Sequence, residues 1–373
     1  MKSRLLYGTP EKEADLLYAT RFAAPDPVLL LEMGRKKILM VRDLEIGRAR
    51  QIADVDSVVG FREIEAKLAK RNVPSPKLAD FVHEVLKNNR VRAVVVPNWF
   101  PAGLLDGLRA RKVNVRVQAN KPFYPQRAIK TPWEVKEIIK VQRATEAALN
   151  KALVLLRAAR IDGKRVKKGS RVVTSKWLKE IIHQELLHRG CLGEHTIVAI
   201  GEQAVEPHHE GEGPVVPNQT IVFDVFPRSE KTHYYADLSR TVVKGKASPQ
   251  IKNMYQAVLQ AQQVGLRTLQ PGVRGSTVHK AVAAHLQKRG FKTFQTKRGW
   301  EGFTHGTGHG VGLDIHELPG VGRSSGPIPT GSVVTVEPGL YYRDVGGVRL
   351  EDMALVTKSG ARNLTRIPKF LEV

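Results

Sequence analysis

Short apolar runs separated by polar breaks dominate the first third of the chain. Val28, Leu29, Leu30 and Leu31 form one run of strand length, and Ile38, Leu39, Met40 and Val41 after Lys37 form another. The glycine-led break Gly34, Arg35, Lys36 between them reads as a turn. A third buried run, 93–96, is ended by Pro97 and Asn98. Between these runs, 61–70 and 77–87 carry helical spacing. Strands alternating with helices up to about Arg127 predict a small α/β unit, its parallel or mixed sheet covered by helices. The stretch 120–125 holds Pro122 and Pro125 and reads as a linker, which divides the chain into domains 1–125 and 126–373.

A different pattern starts at Thr131. Thr131, Pro132, Trp133 and Glu134 form a capping box, with Thr at the N-cap, Pro at N1 and Glu at N3. The helix it opens is predicted to run to about Ala158, with Val135, Ile138 and Ile139 on its buried face. Further helices are expected over 175–189, stopped by Gly190; from Ser248 and Pro249 to Pro271 and Gly272; and from Ser276 to Gly290. The stretches 196–200, 220–226, 234–243, 332–336 and 348–356 are β-rich. No internal repeat or low-complexity segment interrupts them. The second domain therefore reads as α+β, with helices segregated onto an antiparallel sheet.

Composition narrows the class. The 373 residues suffice for two domains, and 42% apolar with 26% charged residues argues against disorder. No apolar run approaches the roughly 18 residues of a membrane span. The first eleven residues lack an apolar signal core, so the expected location is cytoplasmic. One cysteine, Cys191, permits neither an internal disulfide nor a Cys-based zinc site and is expected to be an inert small hydrophobe. The charge, 60 − 36 = +24, invites a nucleic-acid reading. Yet the basic residues are dispersed, and the densest group, Lys164, Arg165, Lys167, Lys168 and Arg171, has no finger spacing, stacking aromatics or basic zipper beside it. A solvated basic surface without a specific nucleic-acid site is the expectation.

Carboxylates inside apolar runs carry the chemistry. An unpaired buried carboxylate costs several kcal/mol, so it is normally neutralised, paired or bound to metal. Asp224 sits within 220–226 and Asp237 within 234–243, and a hairpin at 227–233 would bring them onto neighbouring strands. Near the C-terminus Glu337 ends the apolar run 333–336, and Glu351 follows the turn 344–347. Strand alternation points Arg349 and Glu351 to one face and Asp352 to the other, so Glu351 is the better ligand. The fifth piece is a glycine-rich segment with His305, His309 and His316 within twelve residues. It is neither a dinucleotide fingerprint, since position 311 is Val, nor a zinc-protease helix, since position 320 is Gly. Four carboxylates and one imidazole form a hard, oxygen-rich set that suits a pair of divalent ions, manganese or cobalt, and zinc less selectively. Two such ions activate a water and polarise a carbonyl, which points to hydrolysis.

At these residues the chain resembles the metallopeptidase family of methionine aminopeptidases, Xaa-Pro aminopeptidases and Xaa-Pro dipeptidases (prolidases), whose catalytic domain has the pita-bread fold. The likeness spans about 131–373 and rests on Asp-Leu-Ser-Arg-Thr (237–241), His-Gly-Thr-Gly-His-Gly-Val-Gly (305–312), Val-Glu-Pro-Gly (336–339) and Gly-Val-Arg-Leu-Glu-Asp (347–352). The first domain is similar to the creatinase/prolidase N-terminal domain, which favours the proline-directed branch. The resemblance implies metal ligands at Asp224, Asp237, His309, Glu337 and Glu351, with two divalent metal ions, manganese favoured. It implies that Glu337 also exchanges protons with the attacking water and that His316 stabilises the tetrahedral intermediate. His208, His305 and Arg349 take the substrate side. It further implies a short peptide substrate and a homodimer.

Three other readings compete. The first is an amino-end peptidase of the same fold without strict proline preference. The second is a creatinase-like, metal-free amidinohydrolase, disfavoured by the complete ligand set. The third is a catalytically inactive basic binding module, which predicts eroded ligands. The chain departs from the family at 226–228, Phe-Pro-Arg where small residues are common, and at His209, which stands in for a frequent aromatic. The segment between Asp224 and Asp237 is slightly longer than usual and is expected to lengthen the hairpin tip.

Overall fold

The computed structural model describes residues 3–119 and 122–373; Asn120 and Lys121 of the expected linker lie outside the described residues. The chain divides into two compact units, Met1–Pro125 and Gln126–Val373.

The first unit is built on a six-stranded sheet of β1 (Ser3–Gly8), β2 (Val28–Met33), β3 (Lys36–Val41), β4 (Ser57–Gly60), β5 (Ala93–Pro97) and β6 (Asn114–Gln118). Its order is β4-β3-β2-β1-β5-β6, and it is mixed: β1, β2 and β3 pair antiparallel while the other neighbours are parallel. Gly34, at a φ of +65°, makes the two-residue turn between β2 and β3. The unbroken apolar runs are explained by burial on both faces. Leu29, Leu31, Ile38 and Met40 belong to one core cluster, and their alternate neighbours Leu30, Leu39 and Val41 to the other. Helices Phe61–Ala69, Leu78–Asn88 and Ala102–Ala110 contribute to the first cluster, and Ala14–Thr20 to the second.

In the second unit the helix Pro132–Ala158 opens on the expected capping box: Thr131 Oγ1 accepts from the Glu134 amide and Glu134 Oε2 from the Thr131 amide, at 3.3 and 2.7 Å. Helices Ser175–His188 and Pro249–Thr268 follow, the latter capped by Ser248. The last helix, Gly275–Lys288, starts one residue before the expected Ser276, with Arg274 at a cap position that has no side-chain bond. The basic cluster at 164–171 forms a small meander of Arg160–Asp162, Arg165–Lys168 and Arg171–Val172.

Two antiparallel sheets bring the chemistry together. One joins Ile197–Ile200, Thr220–Asp224 and Ser239–Val243. The other has five strands in the order Glu317–Val321, Gly308–Gly310, Val333–Val336, Asp352–Thr357, Gly360–Asn363. The stretch 348–356 is thus not one strand. Gly346–Arg349 pairs with Gly339–Tyr342 in a separate hairpin, and Asp352–Thr357 belongs to the five-stranded sheet. Likewise Asp237 lies on an extended segment just ahead of Ser239–Val243 rather than inside a strand.

Candidate metal centre

The register of two hairpins positions four carboxylates. In the first, Thr220↔Val243 through Asp224↔Ser239 set a constant sum of residue numbers, which the Arg228↔Tyr235 bridge continues toward the tip. Asp224 therefore faces Ser239, with Asp237 two residues along the opposing segment. The residues between the aspartates extend the hairpin to a four-residue tip, and Ser229 N donates to Tyr234 O at 2.9 Å across its base.

In the second hairpin, Val336↔Asp352 and Gly339↔Arg349 share one register, which sets Glu337 directly opposite Glu351. The ladder is open at that point. Pro338 has no N–H to offer, and the Glu337 and Glu351 amides turn away to Thr307 O (2.7 Å) and Ser239 O (3.1 Å). Like charges directly opposed on a hairpin are destabilising unless something lies between them.

His309 comes from the short strand Gly308–Gly310, wedged between Glu317–Val321 and Val333–Val336. A Cβ at Gly308 would collide with the carbonyl oxygen of Thr335, so the glycine is needed for this close backbone approach. His309 Nδ1 lies 3.1 Å from Gly310 O, which leaves Nε2 facing Asp237 Oδ2 and Glu337 Oε1, each at 3.5 Å.

All five residues line one cavity of about 730 Å³, together with His208, His305, His316 and Arg349. Ligand atoms of Asp237, His309 and Glu351 lie within 4.8 Å of one another. Oδ1 of Asp224, Oδ1 of Asp237 and Oε1 of Glu351 are buried with no hydrogen-bond partner. Converging carboxylates with buried oxygens that take no hydrogen bond from protein form an oxygen-rich donor set that fits a divalent metal. The electrostatics agree. Burial, with Glu351 and Asp224 as neighbours, pushes the Asp237 carboxyl well above its usual range. Burial and Glu351 push Glu337 up as well, and burial with Asp224 raises Glu351 to about 7. Burial and His316 lower His309 to about 4, so its imidazole is neutral and fit to ligate.

The remaining predicted residues surround this cluster. His316 packs edge-on against His309, ring centroids 4.3 Å apart. His305 Nε2 lies 2.8 Å from Tyr341 OH, and burial with Arg349 lowers its pKa to about 3. Arg349 is 3% exposed, and all three of its nitrogens bond protein: Nη2 to Asp224, Nε to Ser239, Nη1 to Tyr341 and Pro207 O. Asp352 points away, as strand alternation predicts, to Arg240 and Lys369. His209 bonds the Gly211 amide and does not line the cavity.

Several contributors were invisible in the sequence. Ser239 Oγ donates to Glu351 at 3.0 Å and accepts from Arg349; Tyr341 joins His305 to Arg349; and Gln262 reaches the hairpin gap. Only Ser239 lay within a quoted motif. Cys191 is buried, and burial raises its thiol pKa.

The model of metallopeptidase family M24 matches residues 136–358, which contain all five of these residues. The chain belongs to metallopeptidase family M24. A Bacillus subtilis relative described as the uncharacterized peptidase YqhT is 37% identical over 176 residues, and that alignment covers about half of each chain, 47%. An Xaa-Pro dipeptidase of Pyrococcus horikoshii is 27% identical over 317 residues, 83% of this chain and 84% of its own. Among solved structures, the X-Pro aminopeptidase of Thermotoga maritima superposes with a TM-score of 0.80 at 21% identity, covering 100% of this chain and 98% of that one. The Xaa-Pro dipeptidase of Bacillus anthracis gives 0.81 at 22%, covering 100% and 95%. These likenesses show the pita-bread metallopeptidase fold with its α/β N-terminal unit. As an M24 member the chain is a metallopeptidase, and among the described residues no helix is long and apolar enough to cross a membrane.

Proposed function

We propose that this M24 peptidase hydrolyses Xaa-Pro bonds at the free amino end of short peptides or dipeptides, with two divalent cations held by Asp224, Asp237, His309, Glu337 and Glu351. The observation that carries the reading is the convergence of these five side chains on one cavity, with three carboxylate oxygens buried and unbonded. The oxygen-rich set favours manganese over cobalt or zinc. Support for the proline-directed branch comes from the Xaa-Pro dipeptidase alignment, whose 317 residues exceed the second unit's 248 and so extend into the first. We read that first unit as a creatinase/prolidase-like domain, and the assembly as a homodimer in the cytoplasm.

Bound divalent cations would supply Lewis acidity for the scissile carbonyl and a water activated for attack. Glu337, at the cavity beside His309, takes the proton of the attacking water and returns it to the leaving nitrogen. His316 and His208 donate to the developing oxyanion, and the neutral His305 completes the substrate side. Arg349, with its donors on protein, holds Asp224 and the loop at Pro207 in place and reaches substrate only at the cavity surface. The proline nitrogen of an Xaa-Pro bond carries no hydrogen, so recognition falls to ring shape. Ile197, Phe226 and Ile315 supply apolar wall for that ring.

The test is cleavage of Ala-Pro and Ala-Pro-Ala by metal-stripped protein with and without manganese. Manganese-dependent release of alanine is expected; from the dipeptide alone it defines a dipeptidase, from the tripeptide an aminopeptidase. Cleavage of Ala-Ala-Ala with both proline peptides intact would overturn the proline preference. No manganese binding would favour the inactive binding module.

A further inference from the structure

Helix Pro249–Thr268 turns an apolar face inward through Met254, Val258 and Ala261, yet it also buries the amide of Gln262, which is 1% exposed. A buried amide is costly unless its hydrogens are used. Both are. Nε2 donates to Val336 O and to Leu350 O, each at 3.0 Å. These carbonyls belong to the residues immediately before Glu337 and Glu351, on opposite sides of the hairpin where its ladder is open.

Leu350 O, facing Pro338, needs an outside donor. In a closed antiparallel ladder the strands bond each other and stand about 4.7–4.9 Å apart. Here one hydrogen of the planar amide takes the place of the donor that Pro338 withholds from Leu350 O, and the other adds a bond to the carbonyl of Val336, which stays paired with Asp352. The only direct backbone bond left within the gap among the described residues is a long one, Leu350 N to Pro338 O at 3.4 Å.

We propose that Gln262 is a positioning residue that sets the separation of Glu337 and Glu351 by bridging the carbonyls of Val336 and Leu350. This rests on the reading of those glutamates as metal-holding groups. Gln262 itself touches neither carboxylate nor substrate. It acts through the backbone, from a helix that no motif of the family reading includes.

The experiment compares Gln262→Leu, which removes both donors, with Ile251→Ala, a core truncation on the same helix whose cluster with Val243 and Ala247 includes neither Val336 nor Leu350. Calorimetric titration of metal-stripped protein with manganese should show affinity for Gln262→Leu reduced on the order of 10–100-fold, as for other residues that orient ligands. Ile251→Ala should bind as the wild type does, even with a comparable fall in Tm. Equal affinities for Gln262→Leu and wild type, or a loss that merely tracks Tm in both variants, would overturn the proposal. Should Gln262→Leu not fold, the near-isosteric Gln262→Glu takes its place. A crystal structure of the metal-free variant reads positioning without any metal: Glu337 and Glu351 should change their separation, and unchanged positions would overturn the proposal. If the wild type binds no manganese, the metal reading fails, while this structural comparison still decides the role of Gln262.

Discussion

The guanidinium Nη2 of Arg349 donates to Oδ2 of Asp224 at 2.7 Å and leaves Oδ1 of the same carboxylate buried without a partner. One oxygen is thus fixed by protein and the other is presented to the cavity. Arg349→Met removes the clamp and strands a buried carboxylate. Breaking a buried pair in this way costs about 3–5 kcal/mol. Urea unfolding of the metal-stripped variant should show a loss of that order, and a loss below about 1 kcal/mol would mean that the pair holds nothing in place.

Glu351 gives a pH signature. Its carboxyl titrates near 7 in the fold against an ordinary 4.5, so between those values the native state holds more proton than the unfolded chain. Stability from this group is therefore lost as pH rises through 4.5 to about 7. Buried imidazoles with lowered pKa, His305 and His309, act in the opposite sense, so the useful quantity is a difference. Metal-free wild type should lose stability relative to Glu351→Gln across that window, and saturating manganese should reverse the order. A difference that stays flat with pH in metal-free protein would refute the assignment.

His316 lies against His309 without belonging to the converging donor set. His316→Ala should lower kcat on an Xaa-Pro peptide by roughly 10²–10³, the usual cost of one oxyanion donor. Manganese affinity should hardly change. A parallel collapse of metal binding would instead make His316 a prop for His309.

Gly308 tests the packing that delivers His309. A methyl group there meets backbone, the Thr335 carbonyl, which cannot swing aside as a side chain can. Gly308→Ala should destabilise the protein by about 1–3 kcal/mol, the range for overpacking, and weaken manganese binding with it. Wild-type melting behaviour in this variant would show that the two strands separate freely.

Much of this site was legible because its signals are local. Caps announce themselves within four residues, as at Thr131 and Ser248, and buried strands as short apolar runs. The carboxylates stood out because each sits within or beside such a run, where a charge needs a reason. Strand alternation alone separated Glu351 from Asp352, and the structure sends the latter to Arg240 and Lys369.

What the amino-acid sequence offered by itself was therefore most of the buried runs and capped helices and the four carboxylates set among them, while the choice of His309 among three histidines came from the family likeness. Tertiary structure alone decided how the site is held. The stretch 348–356 splits between two sheets where Pro338 withholds a ladder donor from Leu350 and the outward-facing Glu351 amide bonds Ser239. Ser239 reaches Glu351 across 112 residues, Arg349 reaches Asp224 across 125, and Gln262 reaches Val336 across 74. Periodicity and capping encode contacts within a few residues. A buried hydrogen bond between distant segments leaves no such period, since its partners become neighbours only when the core closes and water is excluded.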